Sequence, residues 1–502
     1  MARFCLGTTG HRPADKTALI VVHDAQAPLE DAEHWRYGEL DEAVRRIAAG
    51  LLALGLNPGD RLMIRRPSTT DYALLFFGGI AAGLVVLPSS DQLTAGEAAF
   101  LARDADVRAV AVTEALAFDA GSALIIDEAM LATLKAHAPL SDYADTAAED
   151  PAFLVYTSGT SGRPKGVLHA QRSAWGRRPM VAGWYGLTAD DVMLHAGAFN
   201  WTYTLGVGLT DPWANGAATA VFSGTREPAV WPQLMRLTGA TLFAAVPSVY
   251  RQILKYADVS ATDALGTLRH GLTAGEALTP ELLAAWREAT GRDLYEALGM
   301  SECSTYVSTA PGMAIKPGSP GRPQPGRSVA VLGEEEGEEP LPAGKTGLLA
   351  VHRSDPGLML GYWRRPEDDV QVYRGEWFVG GDLAHFDEEG YLWYEGRADD
   401  VMNALGYRVA PAEIEAILSE HEAVAEVAVA ERKVRSDLSI VAAYVVPVEG
   451  AHPDADDLIA FATDRLARYK CPREIVFVDA LPRTGNGKVM RRSLNDLGRE
   501  EA

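Results

Sequence analysis

Between two apolar runs, residues 153–156 and 167–168, eleven residues alternate hydroxyls with glycines and close on a lysine: Tyr156-Thr157-Ser158-Gly159-Thr160-Ser161-Gly162-Arg163-Pro164-Lys165-Gly166. The glycines let backbone N–H groups turn toward an anion, and the hydroxyls add side-chain donors. Lys165 adds a mobile positive charge, so the stretch can wrap a polyphosphate. It is not a Walker A loop, because Pro164 precedes the lysine and no Ser or Thr follows it. A lone Gly/Ser cluster is more often a surface turn. Eleven consecutive residues of this kind, bounded by strand-like segments, favour the anion site.

A chain of 502 residues is too long for a single core and predicts two or three domains. With 47% hydrophobic and 23% charged residues it has an ordinary globular composition. Its 46 basic against 68 acidic residues, a net charge of −22, argue against nucleic acid or an anionic membrane as the main partner. Three scattered cysteines, Cys5, Cys303 and Cys471, fit a reducing cytosol and no disulfide framework. No secretory leader is visible, and the longest apolar run, 73–87, is shorter than the roughly 18–20 residues of a membrane span. The expectation is a cytoplasmic protein.

Leu40, Val44, Ile47, Leu51 and Leu54 mark an amphipathic helix that Gly55 ends. Asn57-Pro58-Gly59-Asp60 then turns the chain into a strand over 61–64. Residues 73–87 read as a buried helix running into a strand, and 107–112 and 241–245 as further strands. Helices alternating with short apolar strands predict an α/β sheet. Thr273-Ala274-Gly275-Glu276-Ala277-Leu278 leaves a strand end, where open parallel sheets bind ligands. In Leu298-Gly299-Met300-Ser301-Glu302 a hydroxyl and a carboxylate stand side by side, suited to a phosphate oxygen and its Mg²⁺. The same pair also reads as a helix N-cap with an acid in the first turn. Trp201 and Tyr203, in an aromatic segment that starts at His195, read equally as core packing or a pocket wall. Residues 334–339 are a solvated hairpin tip. Asp382 follows two glycines and can accept both hydroxyls of a ribose. From 411 on, helices (411–421, 458–469) mix with strands (424–430, 440–446, 475–478), as in a small α+β domain. It closes on a glycine-flexed loop, 482–492, presenting Lys488.

Taken in order, these segments resemble the motifs of the adenylate-forming superfamily, in its acyl-CoA synthetase branch. The resemblance covers essentially the whole chain. It implies a large N-terminal α/β domain of adenylate-forming type (residues 1–398) that binds ATP and the acyl group. A small mobile C-terminal α+β lid (399–502) follows. By residue, the resemblance assigns the phosphates to Thr157, Ser158, Gly159, Thr160 and Lys165. It lays Gly275, Glu276 and Ala277 along the adenine, with Leu298, Gly299, Met300 and Ser301 beside the nucleotide. Glu302 becomes the Mg²⁺ ligand, Asp382 and Arg397 hold the ribose, and Asp399 is the hinge. Trp201, Tyr203 and Ala274 border the acyl pocket, Gly406 and Arg408 the CoA tunnel, and Lys488 is the catalytic lysine of adenylation. Leu298 stands where most relatives carry an aromatic. An aliphatic there resembles benzoate-CoA ligase-like members and tilts the substrate toward aryl or small cyclic acids, while Trp201, Tyr203, Ala274 and Gly275 suggest an aromatic or medium-sized apolar acid.

The chemistry explains the parts. A carboxylate is a poor acyl donor until ATP converts it to an acyl-adenylate with AMP as leaving group. Positioning and electrostatics carry that step. The expected reaction is AMP-forming ligation of a carboxylic acid to CoA, with ATP, Mg²⁺ and CoA as the small-molecule partners. Alternatives are an adenylating enzyme that loads a carrier protein, a luciferase-like oxygenase, and a non-catalytic nucleotide module. The resemblance also makes Lys488 a candidate for a protein lysine acetyltransferase.

Overall fold

The apolar stripe of the first long helix, Tyr37–Ala53, buries Leu40, Val44, Ile47 and Leu51 completely or nearly so. Gly55, at φ +87°, ends that segment, and the strand Arg61–Arg65 follows the turn. Residues 73–87 divide into the helix Thr70–Ala81 and the strand Val85–Pro88, joined through Gly83 at φ +80°. The computed structural model describes residues 1–8, 10, 12–157, 164–261, 263–276, 278–333, 337–397, 402–404, 407–409, 411–435, 438–482, 489 and 491–497.

Contacts gather the chain into two compact units, one of residues 1–91, 102–155 and 166–395, the other of 92–101, 156–165 and 396–502. The first holds the α/β architecture expected. One sheet runs Arg322–Pro323, Ser304–Ser308, Leu294–Met300, His270–Ala274, Leu242–Ala245, Val192–His195, Ala218–Phe222, Thr17–Val22, Glu33–Arg36. From Leu294–Met300 to Thr17–Val22 the neighbours are parallel, which is why those strands are apolar on both faces. A second sheet runs Gly361–Tyr362, Lys165–Ala170, Pro151–Thr157, Val85–Pro88, Arg61–Arg65, Ala109–Val112, Leu124–Ile126. The two strands on either side of the glycine-rich stretch are thus neighbours in this sheet. A third, antiparallel sheet joins Val329–Leu332, Gly347–His352, Trp377–Phe386 and Tyr373–Arg374, with Leu392–Arg397 on Trp377–Phe386.

In the second unit the hairpin Val424–Arg435/Leu438–Pro447 carries Glu474–Phe477 in parallel on its far side. Ile414 and Leu418 of the helix Pro411–Leu418 are fully buried in its core, and Ile417 packs against it. The helix Ala455–Thr463 ends six residues before the expected 469. Thr463 returns its hydroxyl to the Ile459 carbonyl, and Leu466 N–H donates to the Ala462 carbonyl as the chain turns out. Lys470, 6% exposed, is held between Glu413 Oε1 at 2.7 Å and Glu97 Oε1 at 3.2 Å. No helix among the described residues is long and apolar enough to cross a membrane.

Candidate nucleotide and acyl site

Ser301 and Glu302 do not open a helix. They sit in the tight turn of an antiparallel hairpin, Leu294–Met300 with Ser304–Ser308, and Met300 faces Ser304 directly. The helix-cap reading therefore fails. The cause is Gly299, where a Cβ would meet the Ser304 carbonyl oxygen at 2.4 Å, so only glycine lets the two strands close this far. Ser304 completes the turn at φ +70°.

The turn is held from several sides. Glu302 is 8% exposed, and its Oε1 accepts a hydrogen bond from the Tyr362 hydroxyl at 2.8 Å. Met359 N–H donates to the Glu302 carbonyl at 2.7 Å. His169 Nε2 lies 2.9 Å from the Ser301 carbonyl oxygen, and its ring stacks on Phe153 with centroids 4.6 Å apart. Burial pushes the His169 imidazole down to about 4, so at neutral pH Nε2 carries the one proton and donates it. Behind the turn lies a cavity of about 30 Å³ lined by Phe76, Phe153, His169, Leu205, Ser301 and Cys303 among others. His169 Nδ1 has no partner among the described residues, and the cavity has room for a water that would donate to it.

The segment expected along the adenine leaves the neighbouring strand. Ala274, 4% exposed, pairs in register with Ala297, and Gly275 turns the chain at φ +91°. Glu276 binds Ser248 N–H and Oγ, both at 3.1 Å, at the start of the helix Pro247–Tyr256. Its carboxylate is thereby committed to the scaffold. Ala277 is outside the described residues. Asp382, 6% exposed, accepts from Tyr394 Oη at 3.3 Å. A Cβ at Gly380 would stand 2.9 Å from Met300 Sδ and 3.8 Å from Asp382 Oδ2, so the hairpin and the Asp382 strand approach closely at this glycine. Leu298, half-buried, packs against the cluster that contains Met300, Val167 and Tyr306.

Trp201, Tyr203 and Ala274 meet in one apolar cluster. The Trp201 and Tyr203 rings are edge-to-face at 5.2 Å, and Trp184 stacks on Tyr203 at 6.0 Å. His195 joins them, 4.6 Å from the Tyr203 ring. Burial lowers its imidazole to about 3; Nδ1 accepts from Gly197 N–H, and the Nε2 proton has no partner among the described residues. Trp184 was outside the sequence reading because nothing local distinguishes it from a core residue.

Thr157 ends its strand and Lys165 opens the next. Ser158, Gly159 and Thr160, the hinge Asp399, Gly406 and the lysine-loop residue Lys488 lie outside the described residues. Arg397 is the last residue of Leu392–Arg397, and Arg408 pairs with Asn403 in a short hairpin; their side chains are outside the description.

Glu296 is a residue the sequence did not single out. It is 9% exposed, and its Oε1 takes the Leu278 N–H at 2.9 Å, fixing the end of the segment after His270–Ala274 to the next strand. Burial raises its carboxyl from the ordinary value to about 7. Between about 4.5 and 7 the native state keeps a proton that the unfolded chain has lost, so this group's contribution falls as pH rises through that window. The span corresponds to roughly 3 kcal/mol at pH 8. Glu296→Gln keeps the acceptor and removes the titration. Its urea midpoint should exceed wild type at pH 8 and match it near pH 4.5; equal midpoints at both pH values would refute the assignment.

Residues 8–363 match the family of AMP-binding enzymes, and residues 413–488 match the AMP-binding enzyme C-terminal domain. An uncharacterized acyl–CoA ligase of Bacillus subtilis is 33% identical over 480 residues, covering 92% of this chain and 90% of that protein. The solved benzoate CoA ligase of Burkholderia xenovorans superposes with a TM-score of 0.71 at 29% identity, over 98% of this chain and 99% of its own. ATP-bound MatB of Rhodopseudomonas palustris gives 0.73 at 27% identity, over 99% and 98%. The chain belongs to the AMP-binding enzyme family. Within it, the chain is an AMP-forming acid–CoA ligase.

Proposed function

We propose that this enzyme joins an aryl or medium-sized apolar carboxylic acid to CoA in two steps, first forming the acyl-adenylate and then the thioester. The observation that carries the substrate class is the cluster of Trp184, Trp201, Tyr203 and Ala274 beside the strand ends. Trp201, the partly exposed member, would meet a flat apolar group by area and ring geometry, with the buried Trp184, Tyr203 and Ala274 backing it. Leu298 and the likeness to a benzoate ligase point the same way.

In this reading Thr157, Ser158, Gly159, Thr160 and Lys165 bind the phosphates. Gly275, Glu276, Ala277, Gly299, Met300 and Ser301 line the nucleotide, and Asp382 with Arg397 takes the ribose. Glu302 suits Mg²⁺: it is a buried carboxylate with one oxygen hydrogen-bonded and the other without a partner among the described residues. No group of three or more His, Cys, Asp or Glu among the described residues could hold a metal alone. The remaining ligands would be phosphate oxygens and water, as Mg²⁺ commonly takes them. When bound, the ion offsets charge on the phosphates. Lys488 spans the attacking carboxylate and the α-phosphate, and the block from 399 turns about Asp399 to bring Gly406 and Arg408 to CoA. A cytoplasmic setting and acetylation of Lys488 by a protein lysine acetyltransferase complete the proposal.

The test is acid-dependent ATP–pyrophosphate exchange across benzoates, phenylacetates, short and medium fatty acids and malonate, followed by CoA addition. Benzoate-type or medium-chain acids should exchange best, with AMP released in quantity only with CoA. Preference for malonate would refute the apolar pocket. Exchange without CoA turnover would transfer the acyl acceptor to a carrier protein.

A further inference from the structure

The strand Gly361–Tyr362 is only two residues long, yet its place is closely determined. It pairs antiparallel with the strand Lys165–Ala170 that follows the glycine-rich stretch, Gly361 opposite Leu168 and Tyr362 opposite Val167. Leu360 N–H donates to the Leu168 carbonyl and Trp363 N–H to the Gly166 carbonyl, both at 2.7 Å. Tyr362 N–H is taken by Asp369 Oδ1 at 2.8 Å. Gly361 adopts φ +147°, and a Cβ there would lie 2.7 Å from Asp369 Oδ2, so the aspartate can close on this backbone only over a glycine. The Tyr362 ring packs against the cluster of Val167, Met300 and Cys303, and its hydroxyl meets Glu302 Oε1 at 2.8 Å.

A ring anchored at both backbone and face has little freedom to move its hydroxyl. The donor therefore fixes which oxygen of Glu302 is engaged and how the carboxylate plane is turned. We propose that Tyr362 is a positioning residue that presents Glu302 Oε2 to a phosphate-bound divalent cation, coupling the strand Lys165–Ala170 to the metal ligand. This rests on the reading of Glu302 as that ligand. Hydrogen-bond partners of metal-ligating carboxylates fix the ligand's orientation in the same way.

The Tyr362→Phe variant keeps the ring and removes only the donor. The direct readout is Mn²⁺ binding, followed by the electron paramagnetic resonance signal of free Mn²⁺, with the full-length protein saturated by a non-hydrolysable ATP analogue. Loss of an orienting partner should weaken Mn²⁺ roughly 10-fold or more. The Mg²⁺ concentration for half-maximal pyrophosphate exchange should rise in parallel, while KM for the acid stays unchanged. A ring that served packing alone would leave both metal readouts untouched. Glu302→Gln separates the two ideas. If it loses Mn²⁺ binding while Tyr362→Phe binds as wild type, the positioning role is wrong and the ligand role stands. If Glu302→Gln itself binds Mn²⁺ as wild type, the ligand reading fails and the positioning role goes with it.

Discussion

Lys488→Ala should lower acid-dependent pyrophosphate exchange by roughly 100- to 1,000-fold, the loss that follows removal of one preorganised electrostatic contact at a reacting centre. Lys488 follows glycines at 485 and 487 in the sequence Thr-Gly-Asn-Gly-Lys, and the lysine ammonium is a compact charge on a flexible stem. Such a group can stand between an incoming carboxylate and the α-phosphate, whose mutual repulsion otherwise opposes attack. The second half-reaction has no such repulsion to offset, because the thiol attacks an acyl carbon and AMP leaves. Thioester formation from a supplied acyl-adenylate should therefore be little changed in the same variant. Lys488→Arg keeps the charge but spreads it over a planar fork, and should recover only part of the exchange. Lys488→Gln, which imitates the acetylated side chain, should behave as the alanine does. Wild-type exchange in Lys488→Ala would remove the lysine loop from the mechanism. Equal loss in both half-reactions would make its role structural.

The parts of this site that were legible in the sequence are those whose chemistry is local. The apolar runs on either side of the glycine- and hydroxyl-rich stretch need only their own residues to be read, and they form the strands Pro151–Thr157 and Lys165–Ala170 as expected. The alternation of helices and strands that gave the α/β class is likewise written in short periods. Ser301-Glu302 shows the limit: hydroxyl followed by acid is equally good chemistry for a helix start and for a hairpin turn. Its outcome was decided by a backbone approach at Gly299 that needs the partner strand to be seen. Tyr362 lay beyond reach for a different reason. A two-residue strand has no periodicity, and its hydroxyl acts on a carboxylate 60 residues away. Glu296 and His195 read as ordinary polar residues until burial, a property of the packed unit, displaces their proton equilibria.

Arg327→Met should destabilise the larger unit by about 3–5 kcal/mol, the usual result of leaving one member of a buried ion pair behind. The pair is unusually dry: the Arg327 side chain is 1% exposed and that of Asp355 2%. Arg327 Nη1 reaches both carboxylate oxygens, at 2.7 and 2.8 Å. Its Nε donates to Gln324 Oε1 at 3.0 Å and its Nη2 to the Gly176 carbonyl at 3.2 Å. In the methionine variant Asp355 keeps the Gly357 N–H at 2.8 Å but loses its counter-charge, and no water reaches it at the wild-type packing. A loss of this size is a large share of the 5–15 kcal/mol that holds typical domains folded. The damage should also travel. Asp355 fixes the turn whose Met359 N–H holds the Glu302 carbonyl, so the same variant should raise the Mg²⁺ requirement of exchange at temperatures where it remains folded. Arg327→Met combined with Asp355→Leu removes both charges and fills the space, and should regain much of the stability. The measurement is the urea midpoint of the two variants against wild type. A double variant no more stable than Arg327→Met would show that the polar network around Gln324 and Gly176, rather than the stranded carboxylate, carries the loss.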